Sequence, residues 1–364
     1  MKNHKQLMNH FEEAAKVNTP YYFMGHLGAC PDTLGSAMGL VRLAHERGLE
    51  TKIAGDFGAS TGYPTNAELL RFSEVDLINP SNVQKGDRVM FVDCHPGGTN
   101  LFEVKGEVVA VLDHHPIREG EEEFMKNLAF VEIDPEYKAA ASLVVDHLYA
   151  EFGKDRWLSK DSAADRILAT VLMQGIRTDT KKLIIANKRD LGAVTRLEGL
   201  ANKGEISSWE DVGYPPELRT LLKRAQWVSV GPYIGYVIPS VGNPDLVSPF
   251  TDLVTSFTGH QVYIVMAEIL GVEDTRPREW LIKGRSKSAA YDATEILTKV
   301  FGKGSGKDSE IDSVGGVNVS YDYPYTRFGV SSDTESPIVQ ILSGIKDKFN
   351  GLVEVRKKKE DKKV

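Results

Sequence analysis

The sequence predicts an α/β fold: a mostly parallel sheet domain followed by a smaller α+β domain. Three observations lead there. In the first half, short apolar runs alternate with stretches of helical period. Two of those runs end directly in polar groups, at Asp93 and at Asp113-His114-His115, where open parallel sheets carry their ligands. The second half is richer in strand signals.

Taken in order, Leu7, Phe11 and Ala14 are spaced like one face of a short helix. Tyr21–Gly25 reads as a strand. Leu34–Ala44 reads as a helix, with Leu34, Ala37, Met38, Val41 and Ala44 on one face. Thr51–Ala54, Arg88–Val92, Glu107–Leu112 and Phe130–Ile133 read as strands, and Ala140–Phe152 and Ala163–Met173 as helices. The alternation predicts a sheet covered on both faces. Residues 187–216 hold Lys203-Gly204, Ser207-Ser208 and Pro215-Pro216 and read as a partly helical connector. Beyond it, Trp227–Val241 reads as a hairpin turning at Gly231-Pro232 or Gly235. Val262–Met266 and Trp280–Gly284 read as strands, and Leu246–Phe257 and Ala293–Val300 as helices. Tyr321, Tyr323, Tyr325 and Phe328 read as a hairpin packing face. The division expected is a domain at 1–186, a linker at 187–216, a second domain at 217–355 and a basic tail at 356–364, the tail read as a frayed end.

The bulk numbers exclude several classes. A chain of 364 residues with 41% hydrophobic and 26% charged residues is an ordinary globular composition. No apolar run reaches the length of a membrane span. No signal-peptide core follows Met1-Lys2-Asn3-His4, and two cysteines imply no disulfide framework, so a cytoplasmic location is expected. A net charge of −7 argues against binding long duplex nucleic acid but leaves short nucleotides open. Glu119–Glu123, with four acids, reads as a solvated loop. The Gly302–Lys307 run lacks phosphate-loop spacing and follows a helix, so Gly302–Gly306 also reads as a loop.

Chemistry-bearing residues concentrate in four segments. The first runs from His26 through Cys30 and Asp32 to Gly35-Ser36. The others are Asp93-Cys94-His95, Asp113-His114-His115 and Gly175-Ile176-Arg177-Thr178-Asp179-Thr180. Imidazoles and carboxylates are ligands for Mn²⁺ and similar ions, and a bridging carboxylate can hold two ions for phosphate-ester cleavage. Gly35-Ser36 reads as an allowance for close packing of helix on sheet, and His95 as either a third imidazole or a loop residue.

The order and separations of these segments over residues 20 to 180 resemble the DHH phosphoesterase family. The likeness is to its stand-alone two-domain members, of oligoribonuclease (nanoRNase) or 3′-phosphoadenosine 5′-phosphate phosphatase type. The resemblance implies a metal-dependent phosphoesterase with two divalent ions, Mn²⁺ by the family's habit, acting on short nucleotides. It implies that His26 binds the first ion, that Asp32 and His114 bind the second with Asp179 beside them, and that Asp93 bridges both. Asp113 would orient a neighbouring histidine, and His115 would bond the substrate phosphate. The second half would then be the family's substrate-binding domain. Arg285 and Ser286 would belong to its Arg-Ser segment, with Arg285 clamping a phosphate, and Gly315-Gly316 would echo its glycine-rich loop. A homodimer is compatible with the family. An inorganic pyrophosphatase of the same superfamily and a non-catalytic nucleotide-binding module are the alternatives.

The sequence departs from the pattern in three places. A gapless alignment puts Cys30 where the family has its first aspartate; a thiolate there favours Zn²⁺ or Fe²⁺. A local insertion would instead restore Asp32 to the first position, leaving Leu34 at the second and Gly35-Ser36 out of step. No histidine follows His260, so the histidine of the glycine-rich loop is missing or replaced by Asn318, Lys303 or Lys307. After Asp179-Thr180 come Lys181-Lys182, read either as solvated or as a positive rim.

Overall fold

Runs such as Tyr21–Met24 and Glu107–Asp113 have too few polar side chains to face water on either side, so they pair as buried parallel strands. The computed structural model describes residues 3–57, 65–96, 101–117, 120–153, 157–210, 216–243, 246–269, 279–287, 291, 296, 305–307, 314–320 and 337–360. The chain divides into two units, Met1–Gly213 and Tyr214–Val364.

In the first unit, β1 (Tyr21–Met24), β2 (Thr51–Ala54), β3 (Leu77–Ile78), β4 (Arg88–Val92), β5 (Glu107–Asp113) and β6 (Phe130–Ile133) form one sheet in the order β3-β2-β1-β4-β5-β6. Every pairing is parallel. From the adjacent pair β1 and β4 the chain winds outward in opposite directions. The carboxyl ends of these two strands therefore flank a topological switch point, where such sheets open a crevice.

The helices are α1 (His4–Ala15), α2 (Pro31–His45), α3 (Thr65–Ser73), α4 (Ala140–Phe152), α5 (Ala163–Asp179), α6 (Lys188–Leu197) and α7 (Lys203–Glu210). All seven contribute to one hydrophobic core on a single face of the sheet. The opposite face, with Tyr22, Met24, Phe91, Cys94 and Val111, is covered by Leu101, Phe102, Val104 and Leu128 instead. Both faces of the sheet are thus covered, as expected. Right-handed crossovers put the connections of the two half-sheets on opposite faces, and among the described residues of the β4–β5 and β5–β6 connections the one helical element is a 3₁₀ turn at Glu121–Met125. The acidic run is thus partly ordered, with Glu121 half-buried. The residues read as a connector form α6 and α7, whose Ala193, Leu197, Ile206 and Trp209 join the first core.

Small residues set the helix spacing. Gly35 of α2 lies against α5, where an added Cβ would come 3.0 Å from the Val171 carbonyl and 3.2 Å from Leu172 Cα. The close approach is helix on helix rather than the helix on sheet expected. Gly175 of α5 is tighter still, its added Cβ falling 2.9 Å from Asp32 Cα and 3.0 Å from the Pro31 carbonyl.

The second unit comprises α8 (Pro216–Arg224), β7 (Gln226–Val230), β8 (Tyr233–Val241), α9 (Val247–Phe257), β9 (Val262–Ile269), β10 (Glu279–Ser286), β11 (Ser305–Lys307), β12 (Val314–Ser320) and α10 (Pro337–Glu360). Its mixed sheet runs β11-β12-β10-β9-β8-β7. The hairpin turns at Gly231-Pro232, not at Gly235. Only β8 and β9 pair in parallel, and α9 supplies the crossover they require. Phe250 and Val254 of α9 and Leu218 of α8 pack on one face, and Ile345 and Phe349 of α10 on the other. Ser305–Lys307 is strand rather than loop. The backbone of α10 continues to Glu360, so Arg356-Lys357-Lys358-Lys359 are helical rather than frayed. The predicted helix at 293–300, apart from residue 296, and the aromatic cluster at 321–328 lie outside the described residues.

Two predictions follow from this packing. Gly175→Ala drives backbone against backbone and should lower stability by about 1–3 kcal/mol in urea denaturation. Gly192→Ala, on α6 with nothing within 4 Å of the new methyl, should be neutral or raise stability by up to about 1 kcal/mol.

His10 is buried, shares a 2.7 Å hydrogen bond with Tyr21 and stacks on Phe130. Burial, and then the charge of Arg88, lower its pKa to about 4. A base depressed in the fold gives stability that is complete above its unfolded value near 6.5 and is lost as pH falls toward 4. Native protein should therefore lose about 2 kcal/mol more than His10→Gln between pH 7.5 and pH 5, read as the difference between two denaturation series.

Candidate metal centre

Three strand ends and two helix ends bring the polar residues together. Beyond β1, Gly25 lets the chain turn where an added Cβ would fall 2.0 Å from Thr33 Cγ2. His26 follows, and its Nδ1 donates to the Leu27 carbonyl at 2.8 Å. A carbonyl can only accept, so Nε2 is the nitrogen turned toward Asp93 Oδ2, 3.7 Å away. His114, beyond β5, repeats the arrangement. Its Nδ1 donates to the Tyr137 carbonyl at 3.3 Å, and its Nε2 lies 3.2 Å from Asp93 Oδ1 and 3.4 Å from Asp179 Oδ2. Histidines that ligate metal are oriented in this way, by a hydrogen bond from the other ring nitrogen.

Asp93 occupies the centre. It is buried, directly follows β4 and has a positive φ of 60°, a conformation that aspartate tolerates better than most residues. Thr33 Oγ1 donates to its Oδ2 at 2.7 Å, and the Cys30 thiol lies 3.4 Å from the same oxygen. Burial opposes its ionisation, but the imidazoles of His114, His115 and His26 outweigh burial and hold the carboxyl well below the usual range.

Asp32, in the first turn of α2, accepts from Ala140 N at 2.7 Å and from Ala141 N at 2.8 Å, at the start of α4. Burial and the nearby Asp93 and Asp179 still push its carboxyl up. Asp113 Oδ1 accepts from His114 N, His115 N and His115 Nδ1 at 2.7, 3.1 and 2.7 Å. That fixes the His115 ring and leaves its Nε2 as the outer nitrogen. His95 is buried behind Asp113, with its Nε2 3.9 Å from Asp113 Oδ2 and 3.8 Å from Glu121 Oε2. Of its two readings the loop residue fits: it lies in the irregular segment after β4 and, among the described residues, belongs to none of the metal-compatible groups.

Donor atoms in three overlapping sets lie within 4.8 Å of one another: His26, Cys30 and Asp93; Asp32, Asp93, His114 and Asp179; and Asp93, Asp113, His114 and His115. Among the described residues, Asp32, Asp93 and Asp113 take no lysine or arginine as partner. Buried carboxylates of this density demand positive charge. Together with two imidazole Nε2 atoms aimed at them, they fit divalent cations.

Thr33 and the Tyr137 carbonyl were not anticipated. The one signal for Thr33 is its place three residues after Cys30, on the same face of the first helical turn. A carbonyl leaves no signal in a sequence.

In the second unit, Arg285 Nε donates to Asp252 of α9 at 2.7 Å, and its Nη1 to the Gly284 carbonyl. Ser286 is buried at 2% exposure. Neighbours on a strand point to opposite faces, so Arg285 and Ser286 do not form one clamp on a single face of the sheet. Gly315 and Gly316 lie within β12, paired with Gly284 and Lys283, not in a loop. Lys182 is exposed and lies 3.5 Å from Glu210.

No family model matches the chain. It is 24% identical over 298 residues to the uncharacterized protein MJ1633 of Methanocaldococcus jannaschii, covering 80% of this chain and 57% of that protein. It thus spans little more than half the length of that relative. In structure it resembles an exopolyphosphatase-related protein from Bacteroides fragilis, with a TM-score of 0.64 at 11% identity over 97% of this chain and 98% of that one. The two share a fold. RecJ from Thermus thermophilus, in complex with Mn²⁺, gives a TM-score of 0.39 at 15% identity over 90% of this chain and 54% of that one.

Both cysteines are buried, and burial followed by nearby aspartates pushes each thiol well above its usual range. A thiol-reactive disulfide reagent at pH 7.5 should modify neither at an appreciable rate in the metal-free native protein, and both in denaturant.

Proposed function

We propose that this chain is a metal-dependent phosphoesterase of the DHH type that hydrolyses short nucleotides. The observation that carries the reading is the pair of imidazole Nε2 atoms, each set by a backbone carbonyl, aimed at buried carboxylates beside the switch point of a parallel sheet. No helix among the described residues is long and apolar enough to cross a membrane, and the reading requires none.

His26, Cys30 and Asp93 would hold one divalent ion, and Asp32, Asp93, His114 and Asp179 a second. Bound there, such ions supply a water acidified to hydroxide near neutral pH and offset charge on the phosphoryl oxygens. The protein's own groups do the positioning. Thr33 fixes the rotation of Asp93, and the first amides of α4 fix Asp32. Asp113 takes the His115 Nδ1 proton, so His115 would donate from Nε2 to a phosphoryl oxygen in its doubly protonated, imidazolium form. Arg285, Ser286, Gly315 and Gly316 are proposed as substrate contacts of the second unit. Because Asp252 takes its Nε, Arg285 has only the outer edge of its guanidinium to offer an anion.

The substrates favoured are 5′-phosphorylated dinucleotides and oligonucleotides, or 3′-phosphoadenosine 5′-phosphate, in a cytoplasmic protein that pairs as a homodimer. The net charge of −7 agrees with a short anion rather than a long duplex. A pyrophosphatase-like hydrolase would use the same metal groups. The test is hydrolysis of 5′-phosphorylated dinucleotides, 3′-phosphoadenosine 5′-phosphate and pyrophosphate with Mn²⁺, Co²⁺, Zn²⁺ or Fe²⁺. A nucleotide should be cleaved, and Asp93→Asn should cut the rate by at least about 10²-fold. Cleavage of pyrophosphate alone selects the second reading. No cleavage of any substrate with any ion points to a non-catalytic binding module.

A further inference from the structure

Cys30 stands at the N-cap of α2, and its sulfur lies beside two carboxylates and a hydroxyl rather than in the apolar core. It is 3.4 Å from Asp93 Oδ2, 3.6 Å from Thr33 Oγ1 and 3.9 Å from Asp179 Oδ1. Apolar packing, the usual use of a buried cysteine, does not account for that position. Cys94 shows the contrast: it sits in the apolar cluster on the other face of the sheet, with its sulfur 4.0 Å from the Met24 carbonyl.

Two of the three donor separations come near those of a tetrahedral ion. Ligand distances of about 2.3 Å for sulfur and about 2.0–2.2 Å for nitrogen and oxygen put two donors about 3.4–3.6 Å apart. Here sulfur to Asp93 oxygen is 3.4 Å and His26 Nε2 to the same oxygen is 3.7 Å. A second observation, independent of the cysteine, points the same way: the Leu27 carbonyl takes the His26 Nδ1 proton, so the lone pair is on Nε2, the nitrogen 3.7 Å from Asp93 Oδ2.

We infer that the His26–Cys30–Asp93 group binds a thiophilic divalent ion through the Cys30 thiolate, so that this position selects Zn²⁺, Fe²⁺ or Co²⁺ over Mn²⁺. The inference rests on the proposed metal centre and adds the identity of the ion to it. Sulfur is softer than carboxylate oxygen and binds those ions more strongly, while Mn²⁺ prefers oxygen. A carboxylate can bind through two oxygens or bridge two ions. The thiolate brings a single negative charge on one atom, and its proton goes to solvent on binding. The remaining group, Asp32, Asp93, His114 and Asp179, has only oxygen and nitrogen donors, so the two positions differ in preference within one site.

The experiment is titration of the metal-free full chain with Co²⁺ in an absorption spectrometer, followed by Zn²⁺ and Mn²⁺ competition read by calorimetry. A cobalt–thiolate bond gives an intense near-ultraviolet charge-transfer band that imidazole and carboxylate ligands do not. The band should appear in the native protein and in Cys94→Ser, and be absent in Cys30→Ser and Cys30→Asp. Cys30→Asp should shift the Zn²⁺-over-Mn²⁺ preference toward Mn²⁺ by about tenfold or more. Visible cobalt bands without the charge-transfer band in the native protein overturn the inference with no variant needed, whether or not the variants fold. So does a charge-transfer band that survives in Cys30→Ser, or an unchanged preference in a folded Cys30→Asp. Failure to bind any ion overturns this inference and the metal-dependent function together. A thiolate band in a protein that hydrolyses nothing overturns the function alone.

Discussion

The first unit depends on one carboxylate. Asp93 is buried at the end of a central strand, in a left-handed backbone conformation, and belongs to all three groups of potential ligands. A lone carboxylate there would be too costly to keep ionised. Its surroundings remove that cost: a hydroxyl from α2, imidazoles from the ends of β1 and β5, and the place for a cation that those imidazoles define. The turn at Gly25 and the α2–α5 contact at Gly175 bring the partners close enough, and both positions lack room for a Cβ.

The candidate site side chains have partners behind them that fix their direction. Backbone carbonyls orient His26 and His114, helix amides hold Asp32, Asp113 holds His115, and Asp252 holds Arg285. Fixed donors and acceptors lose little entropy when a cation or phosphate arrives. For Arg285 the same device narrows the choice, because the nitrogen bound to Asp252 is unavailable to a ligand.

Most of the elements were legible because burial on a parallel sheet leaves a period. The strands at 21–24, 88–92 and 130–133, the helices beginning at 140 and 163, and the helix at 31–45 from Leu34 onward follow from their apolar spacing. The strand at Leu77–Ile78 was not legible, since two residues carry no period. The helices at 188–197 and 203–210 were legible only as a partly helical connector, because its glycines and serines obscure a period that tertiary burial of Ala193, Leu197 and Trp209 restores. That Leu101, Phe102, Val104 and Leu128 cover the second sheet face could not be read, because alternation of elements does not say which crossover will be helical.

By itself the sequence determined which residues are candidates to carry chemistry and in what order, because strand ends, helix ends and polar residue types are local properties of the chain. His26, Cys30, Asp32, Asp93, Asp113, His114, His115 and Asp179 were all visible in this sense. Only the tertiary structure decided their grouping. It put Cys30 with His26 and Asp93, and Asp32 with Asp93, His114 and Asp179. It turned the imidazoles through the carbonyls of Leu27 and Tyr137, and it separated Arg285 from Ser286 across a strand. The physical reason is that hydrogen-bond direction and facing depend on backbone atoms and neighbouring elements, which residue identity does not encode.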